Sequence, residues 1–286
     1  MLKLENITKV FKSDLLRQPF VALDNVSYEI NTGEIIGFLG ANGAGKTTSL
    51  KIIMDFIRPT SGKVIFDLEM GKNKQEIFKN IGFLPERPYF YPHITGREFC
   101  QFMGKLTDLD LNQINSQVAK WAHRFKIDFA LDRPIRTYSK GMLQRIGFLV
   151  TILHDPKLII LDEPLSGVDP IGRKELKDII VEIHKSGKTI FFSSHIVSDV
   201  EEICDSVVFL KEGKLIYNGS VDKIITENIK LNTTIRYSQN NKVEQLIVKE
   251  EEKNNKIKSV LDLGGNILSI EPEKPTLEEI FYQIKD

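Results

Sequence analysis

Two stretches of this 286-residue chain carry residue types that could do chemistry on a phosphate. In the first, Gly40, Gly45, Lys46 and Thr47 satisfy the spacing G-x-x-x-x-G-K-[ST] of a phosphate-binding loop. Glycines let a backbone curl until successive N–H groups face one anion. The loop through Asn42, Gly43, Ala44 and Thr48 is expected to wrap that anion. Lys46 would reach the β- and γ-phosphates of a nucleotide, and the Thr47 hydroxyl would take one position on Mg²⁺. In the second stretch, Leu158-Ile159-Ile160-Leu161 runs straight into Asp162-Glu163. Asp162 suits a direct or water-mediated Mg²⁺ contact. Glu163 suits a general base that polarises an attacking water.

Both stretches need particular elements around them. Glu34 to Leu39 reads as a short buried strand, and Thr47 to Met54 as the first turns of a helix. The start of that helix adds partial positive charge beside the loop. Asp162 and Glu163 fall at the carboxyl end of their strand, the edge where open α/β sheets bind ligands. Thr189-Ile190-Phe191-Phe192-Ser193-Ser194 is a further strand, ending in His195; the other four histidines lie in loop or helix contexts.

The remaining pattern is α/β with an insertion. Strands are expected near Leu2–Val10, Leu23–Ile30, Lys63–Phe66 and Asn80–Leu84. A polar, turn-like segment separates the first two, and an aromatic at its edge could stack on a purine; Phe11 and Phe20 both qualify. Thr95-Gly96-Arg97-Glu98 is a capping box that opens a helix. A second helix follows through Leu111, Ile114, Val118, Trp121 and Phe125. Ser139 could cap a third, with Leu143, Ile146, Val150 and Leu153 as its apolar face. Taken alone, Ser139 to Arg145 is a capped helix start with a glycine in its first turn. Pro170 marks another helix start, and Glu212-Gly213 a hairpin turn. The domain reading is therefore 1–220 as an α/β nucleotide-binding domain with a helical subdomain at about 86–154, and 221–286 as a small α+β appendix.

Lys+Arg and Asp+Glu both number 39, so the net charge is zero and gives no reason to expect nucleic acid as a partner. No apolar run approaches the roughly 18 residues needed to span a bilayer. The first residues do not read as a secretory signal. Cys100 and Cys204 have no partner at metal spacing and read as thiols in a reducing cytosol.

In order and spacing, the phosphate loop, the helical insertion, Ser139-Lys140-Gly141-Met142-Leu143-Gln144, Asp162-Glu163, Ser166-Gly167-Val168-Asp169 and His195 resemble the ATP-binding cassette family. The members in question are the ATPase subunits of membrane transporters. The resemblance covers about residues 1–220. The tail from Pro275 to Phe281 is similar to the ending of exporter-type subunits for drugs, peptide antibiotics or cell-surface polymers.

The resemblance implies a P-loop (RecA-like) core with an antiparallel β subdomain, and two cassettes packed head-to-tail with ATP between them. Ser139 and Gly141 would then bind the γ-phosphate of the partner's nucleotide, and the loop ending in Asp169 would cross the dimer contact. His195 would hydrogen-bond the γ-phosphate. Glu86 would touch Mg²⁺ or water and the membrane partner. Phe11 stands near the family's stacking aromatic. Lys140 replaces a usual glycine, and Glu86 a frequent glutamine.

The expected protein is an ATP-hydrolysing subunit acting as a homodimer, or with a related cassette. It would act on separate transmembrane permease subunits, on the cytoplasmic face of the membrane. A soluble cassette acting on ribosomes or DNA is the alternative; it would show two cassettes or long coiled coils, and neither is present. A module that binds ATP without hydrolysing it conflicts with the intact Asp162-Glu163 pair.

Overall fold

In the computed structural model, which describes residues 1–12, 19–228, 232–239, 242–272 and 275–283, the chain forms two compact units. The first spans Met1–Gly219. It opens on β1 (Leu2–Phe11) and β2 (Phe20–Ile30), which pair antiparallel from Leu2↔Ile30 to Phe11↔Phe20. The first strand thus extends through Phe11 and the second begins at Phe20, so both aromatics belong to strands rather than to the segment between them. Its residues 13–18 lie outside the described residues. After β3 (Ile35–Leu39) and α1 (Lys46–Ile53), β4 (Ser61–Phe66) returns to the other edge of β1.

The second sheet carries the site. Short α2 (Lys74–Lys79) leads into β5 (Ile81–Leu84). Three helices follow: α3 (Gly96–Leu106), α4 (Leu111–Arg124) and α5 (Lys140–Ile152). The chain then alternates β6 (Leu158–Leu161), α6 (Pro170–Lys185), β7 (Thr189–Ser194) and α7 (Val197–Ile203). A hairpin of β8 (Ser206–Lys211) and β9 (Lys214–Ser220) closes the unit. Strand order is β5-β6-β7-β3-β8-β9, and β5 through β8 pair in parallel. Strands β3, β6 and β7 are buried along their whole length, which is why β3 and β6 read as apolar runs and β7 carries an apolar centre, Ile190 to Phe192.

Capping sets the helical insertion. Thr95 and Glu98 form the expected reciprocal box at α3. Asp110 and Gln113 form a second at α4 that the apolar spacing alone did not reveal. Ser139 Oγ accepts from the Met142 N–H at the start of α5. Trp121, Phe125 and Phe148 join α4 to α5 through rings 6.1 and 5.2 Å apart. Between the two sheets, Phe38 stacks on Phe191 at 5.0 Å and Tyr28 leans on Phe38 at 5.6 Å.

The second unit, Ser220–Asp286, has its own small core. Its helix α8 (Val221–Glu227) precedes β10 (Asn232–Gln239) and β11 (Lys242–Lys249). Helix α9 (Lys253–Asp262), β12 (Asn266–Pro272) and α10 (Leu277–Gln283) complete it. The sheet order is β11-β10-β12, antiparallel, with Ile235, Tyr237, Val248 and Val260 buried.

Helix α5 packs directly on β5. A Cβ at Gly82 would lie 2.3 Å from the Thr151 carbonyl oxygen, which is backbone and cannot swing aside. Gly82→Ala is expected to cost about 1–3 kcal/mol by overpacking. Urea denaturation measures it; an unchanged midpoint would contradict the β5–α5 contact.

Candidate functional site

The strand order explains why these residues meet. The phosphate loop follows β3, and Asp162-Glu163 follows β6. Strand β7 lies between those two, with Leu161 level with Phe192 and Leu39 level with Ser194. Residues 193–195 therefore emerge between the loop and the carboxylates. A cavity of about 350 Å³ opens there, lined by residues of the loop together with Glu86, Glu163, Ser166 and His195.

The loop is shaped by close approaches. Gly45 sits at φ 103° at the start of α1, and a Cβ on it would lie 2.6 Å from the Ala22 carbonyl oxygen. Gly43, at φ 84°, also holds the left-handed conformation that favours glycine. The hairpin turn, with φ 49° at Glu212 and 77° at Gly213, docks alongside: the Gly213 N–H donates to the Ala44 carbonyl at 3.1 Å. Lys46 is buried, and its ammonium donates to the Gly40 carbonyl at 2.6 Å. The same ammonium lies 3.3 Å from Glu163 Oε1.

Glu163 is held from several directions. Its backbone takes φ 52°, a strained region for a residue with a side chain, of the kind that clusters at functional sites. Its N–H donates to Ser193 Oγ at 2.8 Å, and the Ser193 hydroxyl donates to Asp162 Oδ1 at 2.7 Å. Its other carboxylate oxygen, Oε2, lies 2.8 Å from His195 Nδ1. Burial pushes the Asp162 carboxyl above its ordinary value; the hydroxyls of Ser193 and Thr47 oppose that, while the Glu86 and Glu163 charges reinforce it. The site thus gathers more negative charge than Lys46 alone offsets.

Asn42, Gly43, Gly45, Lys46, Thr47, Thr48, Glu86, Glu163 and His195 all line the cavity, and Asp162 joins them through Ser193. Phe20 lines it and Phe11 does not; the Lys9 ammonium sits over the Phe11 ring, 5.0 Å from its centre. Ser139 and Gly141 are absent from the lining. Ser139 is exposed, and a Cβ on Gly141 would meet nothing within 4 Å. Asp169 caps α6 in its own chain, with Oδ1 accepting from the Gly172 N–H at 2.6 Å. Two participants had no site role in the sequence pattern: Ser193, and Ser166, which stood there only as the first residue of the Ser166–Asp169 motif. Serines closing an otherwise apolar buried strand were the available signal for Ser193.

A glycine-rich phosphate loop and an acidic pair facing it at the carboxyl edge of a parallel sheet define a P-loop nucleotide-binding protein. A family model described as ABC transporter matches residues 23–166. An uncharacterized ABC transporter ATP-binding protein of Nostoc sp. is 36% identical over 96% of this chain and 87% of its own length. The bacitracin transport ATP-binding protein BcrA of Bacillus licheniformis is 36% identical over 80% of this chain and 73% of its own. A solved dimeric ATP-binding cassette bound to ADP and Pi shares the fold, with a TM-score of 0.69 at 22% identity over 77% of this chain and 99% of that one. The chain belongs to the ABC transporter family, as one of its ATP-binding ATPase subunits.

Ser193 is the hub between the two carboxylates. Ser193→Ala leaves the Glu163 N–H and Asp162 Oδ1 without this partner, at a cost of about 1–3 kcal/mol. Urea denaturation without nucleotide reads the loss; full stability would show that these two bonds are not made.

Proposed function

We propose that this chain hydrolyses ATP between two head-to-tail cassettes and so drives an exporter through separate permease subunits. The observation that carries the reading is the shared Glu163 carboxylate, one oxygen on Lys46 and the other on His195, at the mouth of the phosphate loop. In this arrangement Lys46 has a carboxylate where a triphosphate would bring its oxygens. Arriving β- and γ-phosphates take over the ammonium and release Glu163 Oε1 to accept a proton from the attacking water. His195 keeps the other oxygen oriented. With Nδ1–H donated to Glu163, its Nε2 can donate to a phosphate oxygen only as the imidazolium.

The Thr47 hydroxyl and the Asp162 and Glu86 carboxylates are hard oxygen donors that fit Mg²⁺. Among the described residues no three His, Cys, Asp or Glu side chains form a ready-made cage, in keeping with an ion that relies on one or two carboxylates plus phosphates. When bound, Mg²⁺ would neutralise charge on the phosphates. Asn42, Gly43, Ala44, Gly45 and Thr48 supply the phosphate cradle.

Ser139 and Gly141 act on a nucleotide held by the other copy, a homologous or identical cassette. That neither lines this chain's own cavity is consistent with this, and the dimeric solved relative supports it. Export is read from the resemblance of the tail from Pro275 to Phe281 to exporter-type subunits, and a place on the cytoplasmic face of the membrane goes with that reading; the likeness to a bacitracin transport ATP-binding protein supports a role in transport. Among the described residues no helix is long and apolar enough to cross a membrane.

Glu163→Gln should slow phosphate release by roughly 10²–10⁴ while ATP binding persists. Light scattering of that variant with ATP and Mg²⁺ should give twice the monomer mass. A species that stays single overturns pairing with an identical copy, and near-normal turnover removes Glu163 as base. For the base, Phe20→Ala is expected to weaken ATP binding by about 1–3 kcal/mol, the usual worth of one stacked base. Phe11→Ala should cost less, and calorimetric titration of both variants ranks the two rings.

A further inference from the structure

Three charged residues outside the cavity meet between α6 and α7. Arg173 and Lys177 stand one helical turn apart on α6, and Asp199 lies on α7, four residues beyond His195. Asp199 is only 2% exposed. Its Oδ1 is 3.7 Å from Lys177 Nζ and its Oδ2 is 3.8 Å from Arg173 Nη1. Both contacts fall about 1 Å short of a charge-assisted hydrogen bond. Lys177 donates instead to Glu202 Oε2. Asp199 Oδ2 and Arg173 Nε are both buried without a hydrogen-bond partner. Buried polar groups are satisfied about nine times in ten, so a donor and an acceptor left open within one contact call for a cause.

The two helices are unequally anchored. Asp169 caps α6, and Arg145 ties it to the helical insertion through Glu175 at 2.6 Å. Helix α7 has seven residues and no side-chain cap. A cavity of about 460 Å³ lies beside the contact, lined by Val168, Pro170, Arg173, Lys174, Lys177 and Glu202. A shift of about 1 Å in α7 toward α6 would bring Asp199 into hydrogen-bonding range of Arg173. Because α7 begins two residues after His195, the same shift moves the histidine.

We propose that Arg173 and Asp199 form a latch between α6 and α7 whose closure sets the working position of His195. They are positioning residues, and the inference rests on the role proposed above for His195. The latch also links the loop that ends in Asp169 to the strand that ends in His195, so the two would move together.

The test compares Asp199→Asn and Arg173→Gln in the wild-type and His195→Ala backgrounds of the full chain. Phosphate release is followed across ATP concentrations, with thermal melts to confirm folding. Each variant should lower kcat by roughly 10–100-fold, the effect of a small misplacement of a reacting group, with KM for ATP little changed. In the His195→Ala background the further loss should be under about twofold, because the two act through one another. An equal loss in both backgrounds, or full kcat in folded Asp199→Asn, overturns the latch alone. Full turnover in His195→Ala itself overturns the role of His195 and the latch with it. Should Asp199→Asn fail to fold, Arg173→Gln carries the same comparison.

Discussion

The buried ammonium of Lys46 is the charge on which the arrangement of this protein depends. At 6% exposure it has little water to turn to, and it is held by the Gly40 carbonyl and the Glu163 carboxylate. Stripping such a charge of its partner costs about 3–5 kcal/mol. The phosphate loop after β3 therefore requires an acidic group across the sheet edge, and the end of β6 supplies it. The interposed β7 provides the spacing and fills it with Ser193 and His195, both of which bond to the acidic pair. On the proposed function, a nucleotide would compete with Glu163 for the same ammonium, and binding and activation of the base would be one event.

The loop is also where the two sheets of the first unit are pinned together. Ala22 of β2 passes so close to Gly45 and Gly213 that a methyl group at either glycine would collide with its carbonyl oxygen. Ala44 and Asp24 both bond to Gly213 through the backbone. The antiparallel sheet, the phosphate loop and the β8–β9 hairpin thus hold one another, and Phe38, Phe191 and Tyr28 continue the contact inward.

The helical insertion is joined to the acidic pair by a different route. Gln144 of α5 donates to the Pro164 carbonyl at 2.7 Å, one residue past Glu163. The Lys140 side chain lies over Gly167, where a Cβ would sit 1.9 Å from its ammonium. The exposed start of α5 is therefore tied to the loop that follows Glu163. In a two-cassette assembly this gives each copy a mechanical link between its own Glu163 and the surface it would present to the other.

The glycine spacing around Lys46, the carboxylates closing an apolar run and the capping box at Thr95 were legible from sequence because each is a local pattern with a local cause. Asp110 with Gln113 is equally local, but a cap that lies outside the apolar stripe is not marked by that stripe's spacing. Which aromatic borders the cavity was decided by strand pairing: Phe11 and Phe20 face each other across β1 and β2, and only Phe20 meets the loop. Ser193 became a bridge only when β7 was placed between β6 and β3, a fact of strand order that no spacing encodes. The chain by itself fixed which groups could handle a phosphate. The tertiary structure decided which of them share a charge, because burial and sheet order set the distances over which charges act.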